Sequence, residues 1–486
     1  MGLLIALPVV SPGALAQARA PGVAPFIAVD DAVVALAHVR VIDGTGAPAR
    51  DDQTLVIANG RIAALGPASS TTVPAGAKML DKSGYTVIPG LVGMHDHLYY
   101  SASISAQRGP DGRIAEPGFY VDELPYSAPR LYLAAGVTTL RTTGSVEPYT
   151  DLKVRQRIES GAMPGPHIDV TAPYLEGKGT AFAQMHELDG PDDARRLVSY
   201  WSGEGMTSFK AYMNITRAEL AAAVAEAHRL GHKLTGHLCS VTWPEAIAAG
   251  IDDFEHGPVF TDTEFVPDKK ADECPSGAAR AQSWDRIAID GPEVKRLIAS
   301  LVTHHVAVTS TLPVFELFMM GRPRLEQRVL DAMSAEARSS YLTERAAVST
   351  AGNANALPEA TLKKEMDFER AFAKAGGLLL AGPDPTGNGG VLPGFGDQRE
   401  IELLVEAGFS AADAIRIATL NGARFLGRDD RIGALAPGKQ ADVVVIKGDP
   451  TRTIADIENV ELVFKDGVGY DAPKLIESVR GKVGIW

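Results

Sequence analysis

His95 and His97 close an apolar run that reads Gly93-Met94-His95-Asp96-His97. On an extended strand residues i and i+2 share a face, so the two imidazoles point together and Asp96 points the other way. Two histidines so placed suit two bonds to one metal ion. Lys210 lies in another apolar run, Phe209-Lys210-Ala211-Tyr212. A lysine there is costly to bury unless it is paired or chemically changed, although its stem could also snorkel to water. His237 stands in Gly236-His237-Leu238, and His256 in Phe254-Glu255-His256-Gly257. Asp384 ends Ala381-Gly382-Pro383-Asp384. Taken singly, a histidine after a strand is more often structural, and an aspartate there is more often a cap or turn residue. Taken together, four imidazoles, a carboxylate and a lysine are the donor palette of a divalent-metal centre.

The elements around these residues repeat. Apolar runs at Val87 to Leu98, Val137 to Thr142, His167 to Ala172, Ser208 to Tyr212, Leu234 to Leu238, Asp253 to His256, Val306 to Leu312 and Leu378 to Gly382 read as strands. Helical patterns such as Arg217–Leu230 and Pro292–Thr303 separate several of them. Repeated βα units predict an α/β fold with a parallel sheet, and eight of them predict a (β/α)8 TIM barrel over residues 89–426. Five of the eight strands carry a candidate ligand at the same end, and in such barrels the C-terminal ends of the strands hold the active site. The long stretch 313–377 is expected to form extra helices over the barrel mouth. Residues 25–88 and 427–486 have another texture, that of short half-buried strands and tight turns such as Asn59-Gly60. The two ends are expected to build one small β-sandwich into which the barrel is inserted.

The bulk composition excludes some partners. The formal net charge is −13, without Lys/Arg clusters, which argues against nucleic acid. The two cysteines, Cys239 and Cys274, rule out a disulfide framework and a zinc ribbon and leave room for a single bridge. Residues 3–10 form a short apolar run followed by Ala14-Leu15-Ala16, a pattern like a secretory signal without its basic leader. Residues 1–24 are therefore expected to be a signal peptide and disordered lead, and the protein to be periplasmic or secreted. No stretch is long enough to span a membrane.

These motifs resemble the amidohydrolase superfamily, in its imidazolonepropionase-like and Xaa-Pro dipeptidase-like branch. Val87 to His97 resembles the family's first-strand signature. Ala418-Thr419-Leu420-Asn421-Gly422-Ala423 and Gly433 to Asp442 resemble its post-barrel helix and return to the sandwich. The close spacing of His237 and His256 and the presence of Lys210 are similar to the dipeptidase-like arm. The resemblance implies two divalent metal ions, zinc foremost. His95, His97 and Asp384 would hold one and His237 and His256 the other, with Lys210 bridging both as an N6-carboxylated lysine. It also implies a homo-oligomer.

The expected activity is hydrolysis of an amide or peptide bond in a small molecule, such as a dipeptide, an N-acyl amino acid or a mycotoxin amide. Asp384 would shuttle the proton. Tyr212 shares a face with Lys210, so it could donate to the developing oxyanion or be a core tyrosine. His186 could contact substrate or lie on the surface. His304 and His305 precede a strand, at the wrong end, and His38, His167, His228 and His232 read as structural. Tyr99, Tyr100, Phe119, Tyr120 and Tyr126, with the segment Val314 to Met320, suggest an apolar or aromatic substrate group. Arg108 and Arg113 could bind a carboxylate or be surface residues. Gly387-Asn388-Gly389-Gly390 could flex over the site. Rival readings are a cyclic amidase or lactonase, a deaminase, and a secreted binding protein that keeps only the barrel.

Overall fold

The computed structural model describes residues 19–101, 121–180, 182–350 and 356–484. Most of the expected signal segment, with Arg108, Arg113, Phe119 and Tyr120, lies outside the described residues.

Both ends of the chain enter one nine-stranded sheet. Ile27–Val29, Val33–Val41, Arg50–Ala58, Arg61–Pro67, Lys78–Asp81 and Tyr85–Pro89 come from the N-terminal part. Val443–Lys447, Val460–Lys465 and Val468–Asp471 come from the C-terminal part. The seam is antiparallel, with Val443 opposite Pro89 and Lys447 opposite Tyr85. The Asn59-Gly60 turn closes its hairpin with φ of 52° and 74°, the doubly positive pair that a type I′ turn requires. Val34, Leu36, Leu55, Ile57, Val443, Val445 and Phe464 pack into one apolar cluster on this sheet.

Eight short strands lie between the two ends: Leu91–Gly93, Val137–Arg141, His167–Asp169, Ser208–Ala211, Lys233–Gly236, Asp253–Glu255, Ala307–Ser310 and Leu379–Ala381. They pair in parallel, the first three in one group and the last five in another. The groups meet at both edges. Ala172 N–H donates to the Ser208 carbonyl at 3.0 Å, and Met94 N–H donates to the Ala381 carbonyl at 2.9 Å. These eight are the strands of the α/β barrel, and helices lie between them. Thr216 and Glu219 form a capping box that starts the helix Arg217–Arg229, and Thr242 with Glu245 does the same for Trp243–Ala249. The stretch after the seventh strand holds the helices Leu312–Glu316, Gln327–Ala332, Ala335–Val348 and Glu359–Lys374.

The run Val87 to Leu98 is two strands rather than the single one expected. It breaks at Gly90, whose N–H bonds to Asp442 of the end-built sheet, while Leu91 N–H bonds to Gly136 of the barrel. A Cβ at Gly90 would lie 2.0 Å from the Thr138 hydroxyl oxygen, so only glycine lets the chain cross between the two bodies there. Among the described residues no helix is long and apolar enough to cross a membrane.

Candidate metal centre

The first strand delivers His95 and His97 to the barrel's C-terminal end, and backbone contacts fix them. Asp384 N–H donates to the His95 carbonyl at 3.0 Å. The Tyr132 hydroxyl donates to the His97 carbonyl at 2.9 Å. A Cβ at Gly382 would lie 2.2 Å from His95 N, so a glycine is needed where strand eight passes strand one. The His97 Nδ1–H donates to the Thr142 carbonyl at 3.1 Å, which leaves Nε2 with its lone pair toward the site. That nitrogen is 3.3 Å from Asp384 Oδ1.

Lys210 Nζ lies 3.2 Å from His95 Nε2. His237 Nδ1 and His256 Nε2 are 2.9 Å apart, and His256 Nδ1 is 2.6 Å from the Thr311 hydroxyl. His256 and Asp384 both hold positive φ, 67° and 49°, unusual for residues with side chains. Such backbone cost is typical of positions held for function. One ligand atom from each of His95, His256 and Asp384 lies within 4.8 Å of the others. The six predicted ligands are thus brought together, five of them buried and His237 half-buried. Asp96 is buried away from them, where burial and then Asp397 hold its carboxyl well above the usual range.

The protonation states suit metal binding. Burial, with help from Lys210, lowers the His237 imidazole to about 3. Burial also depresses His95, His97 and His256, so the four rings are neutral near pH 7. Burial lowers Lys210 to about 8, which makes a neutral amine accessible. Burial works against ionisation of Asp384, but His95, His97 and Lys210 outweigh it and keep the carboxylate well below its usual range. Neutral imidazoles around one carboxylate form a donor set that fits a divalent cation.

A second buried layer supports the first. Glu255 Oε2 stands 2.7 Å from His95 Nδ1. Its other oxygen accepts from Arg141 at 2.7 Å and from the Thr235 hydroxyl at 2.5 Å. Arg141 also donates to Asp253 at 2.7 Å and to the Met94 carbonyl at 2.9 Å. A carboxylate behind a ligating histidine fixes its ring and raises its basicity. Sequence reasoning assigned no role to Glu255 or Arg141. The available signal was a charged residue inside each of two buried strands, which must be paired.

Above the ligands is a cavity of about 250 Å³. Its walls include Tyr99, Tyr174, Phe182, Met185, Tyr212 and Phe315. Tyr99 stacks on His97 with ring centroids 4.4 Å apart and shares a 2.6 Å hydrogen bond with the Tyr174 hydroxyl. Tyr212 lines the cavity, and burial raises its phenol well above normal. His186 does not reach it. Its ring is half exposed and sits 2.8 Å from Asp193 on the surface, where water and a carboxylate serve it better than an apolar wall. Its neighbour Met185 lines the cavity instead. From the expected aromatic and Met-rich segments, Tyr99, Val314 and Phe315 line it, whereas Tyr126 and Met320 are exposed. Tyr100 turns aside to donate to the Gly389 carbonyl.

This barrel, with its end-built sheet and a buried histidine-carboxylate cluster at the strand ends, has known counterparts. Residues 86–469 match the amidohydrolase family, and the chain belongs to it. It is 25% identical over 435 residues to an imidazolonepropionase of Saccharopolyspora erythraea, covering 86% of this chain and 93% of that one. Its fold is similar to that of a putative prolidase from Bifidobacterium longum, with a TM-score of 0.62 and 24% identity over 92% of this chain and 98% of that one. It is also similar to bottromycin amidohydrolase, with a TM-score of 0.68 and 23% identity over 94% of each chain. The chain is a hydrolase of carbon–nitrogen bonds with a candidate metal site.

Proposed function

We propose that the enzyme cleaves an amide or peptide bond of a small molecule at a two-metal centre. The observation that carries the reading is the convergence of His95, His97, Lys210, His237, His256 and Asp384 in one buried cluster under an aromatic cavity. His95, His97 and Asp384 would hold one metal, zinc foremost, and His237 and His256 the other. Lys210, with its pKa lowered to about 8, would react as the free amine with carbon dioxide and bridge both as a carbamate. Divalent ions held there would lower the pKa of water and polarise a carbonyl.

The chain's own groups do the rest. Asp384 is ionised at neutral pH and accepts the proton of the attacking water. As the carbon–oxygen bond forms and the carbon–nitrogen bond breaks, Asp384 returns that proton to the leaving nitrogen. The Tyr212 hydroxyl keeps its proton and donates a hydrogen bond to the carbonyl oxygen as charge develops. Tyr99, Tyr174 and Phe315 exclude water and receive an apolar group.

The test is a panel of dipeptides, N-acyl amino acids and neutral amides, assayed before and after chelation and metal readdition. Turnover that is lost on chelation and restored by metal is expected, and no turnover of any linear amide would overturn the reading. The likeness to an imidazolonepropionase favours one alternative, opening of a cyclic amide. That alternative yields one ring-opened product where a linear amide yields two fragments. Export from the cytoplasm is supported by the Cys239–Cys274 disulfide, since such bonds persist in oxidising compartments.

A further inference from the structure

The histidines of the cluster are backed by different groups. Behind His97 the Thr142 carbonyl takes the Nδ1 proton, and behind His95 a Glu255 carboxylate oxygen faces Nδ1 at 2.7 Å. A carbonyl and a carboxylate only accept, so each holds the one proton of a neutral ring on Nδ1 and leaves the Nε2 lone pair toward the site. Behind His256 stands a hydroxyl, that of Thr311, 2.6 Å from Nδ1. A hydroxyl can accept or donate. When it accepts, the proton of His256 is on Nδ1, and Nε2 offers its lone pair beside His237 Nδ1, 2.9 Å away. When it donates, the proton is on Nε2, and that nitrogen cannot bind a cation.

The placement of Thr311 ties it to this ring. It follows the seventh barrel strand, Ala307–Ser310, and precedes the helix Leu312–Glu316. A threonine in that position usually turns its hydroxyl onto the first N–H groups of the helix. Thr311 makes no such cap, and the His256 ring is the one hydrogen-bond partner of its hydroxyl among the described residues. The rings of His95, His237 and Phe315 pack around His256 at centroid distances of 4.8, 4.4 and 5.4 Å. Thr311 is the one hydrogen-bond partner of His256 Nδ1 among the described residues. Both residues are buried, and Thr311 is not among the walls of the cavity, so its hydroxyl acts from behind the ring.

We propose that Thr311 is a positioning residue that sets which nitrogen of His256 carries the proton, and so whether the His237 and His256 half of the centre accepts a divalent cation. This rests on the reading of His256 as a metal ligand given above. Acceptors fixed in the protein preset His95 and His97 for a cation. His256 is set only when the Thr311 hydroxyl turns to accept, and the His237 ring meets no hydrogen-bond partner but His256 among the described residues. The ion on this half is therefore the more weakly held of the two.

The experiment titrates zinc-loaded protein with a chromogenic zinc chelator and counts the zinc left on the chain, for the native protein, Thr311→Val and Thr311→Ser. Valine keeps the shape and removes the oxygen, whereas serine keeps the oxygen. In Thr311→Val the weaker ion is expected to bind about tenfold to a hundredfold less tightly, with the tighter ion unchanged. Thr311→Ser should bring the weaker ion back to within about threefold of native. Thermal melting checks folding, and Thr311→Ala takes the place of the valine variant should that one melt early. Two unchanged ions, two ions weakened alike, a loss confined to the tighter ion, or a serine variant as weak as the valine variant would overturn the proposal. A single zinc ion on the native chain would overturn the two-metal reading instead. The proposal then stands if Thr311→Val weakens that ion and Thr311→Ser restores it, and falls if Thr311→Val leaves it unchanged.

Discussion

Two buried polar layers lie one behind the other in the barrel, and they are built differently. In the deeper layer, Arg141 meets Asp253 and Glu255, and the Thr235 and Thr309 hydroxyls donate to the same carboxylates. One guanidinium there faces two carboxylates, and burial with the neighbouring Glu255 charge raises the Asp253 carboxyl to about 7. In the upper layer, four histidines and a lysine surround one carboxylate, and burial pushes all five bases toward their neutral forms. The upper layer offers metal donors, and ligand atoms of His95, His256 and Asp384 lie within 4.8 Å of one another. One layer pairs its polar groups internally, and the other presents a donor set that suits a divalent cation. Glu255 joins them, with one oxygen toward Arg141 and the other toward His95.

Breaking the upper layer should abolish activity and spare the fold. Asp384→Asn removes the proton acceptor and one ligand, and turnover of the best amide should fall by about a hundredfold to ten-thousandfold. Steady-state kinetics on metal-loaded protein check this, and a loss below tenfold would remove Asp384 from the chemistry. Breaking the deeper layer should do the opposite first. Arg141→Met leaves Asp253 and Glu255 buried without their cation, and stability should fall by about 3–5 kcal/mol. Denaturant titration measures it, and a loss under about 1 kcal/mol would mean the layer is not the scaffold described.

The smallest effect concerns pH. His237 titrates near 3 in the folded chain against an ordinary value of 6.5. Between those values the unfolded chain holds a proton that the folded one does not, so metal-free protein loses stability as pH falls from 6.5 toward 3. The contribution is at most about 1.4 kcal/mol per pH unit. His237→Asn should flatten the slope by that amount, and identical slopes in both proteins would contradict the neutral-histidine account.

The upper layer was legible in the sequence and the deeper one was not, for a physical reason. Strands alternate faces with a period of two, so His95-X-His97 and the polar residues at strand ends announce their direction without any knowledge of neighbours. The Arg141–Glu255 contact depends on how separate strands are placed across the barrel interior, which a single chain read in order does not display. The break at Gly90 was hidden because both halves of Val87 to Leu98 are apolar, and only the approach of Thr138 requires glycine there. His186 and Met185 are neighbours outside the regular elements, and no periodicity decides which of them turns toward the cavity.

We propose that Lys210 bridges a two-metal centre. Elemental analysis of the purified protein beside its Lys210→Ala variant tests it directly. About two divalent metal ions per chain are expected in the native protein, with at least one lost and amide turnover abolished in the variant. About one metal per chain, unchanged by the substitution, would contradict the bridge and assign the protein to single-metal chemistry.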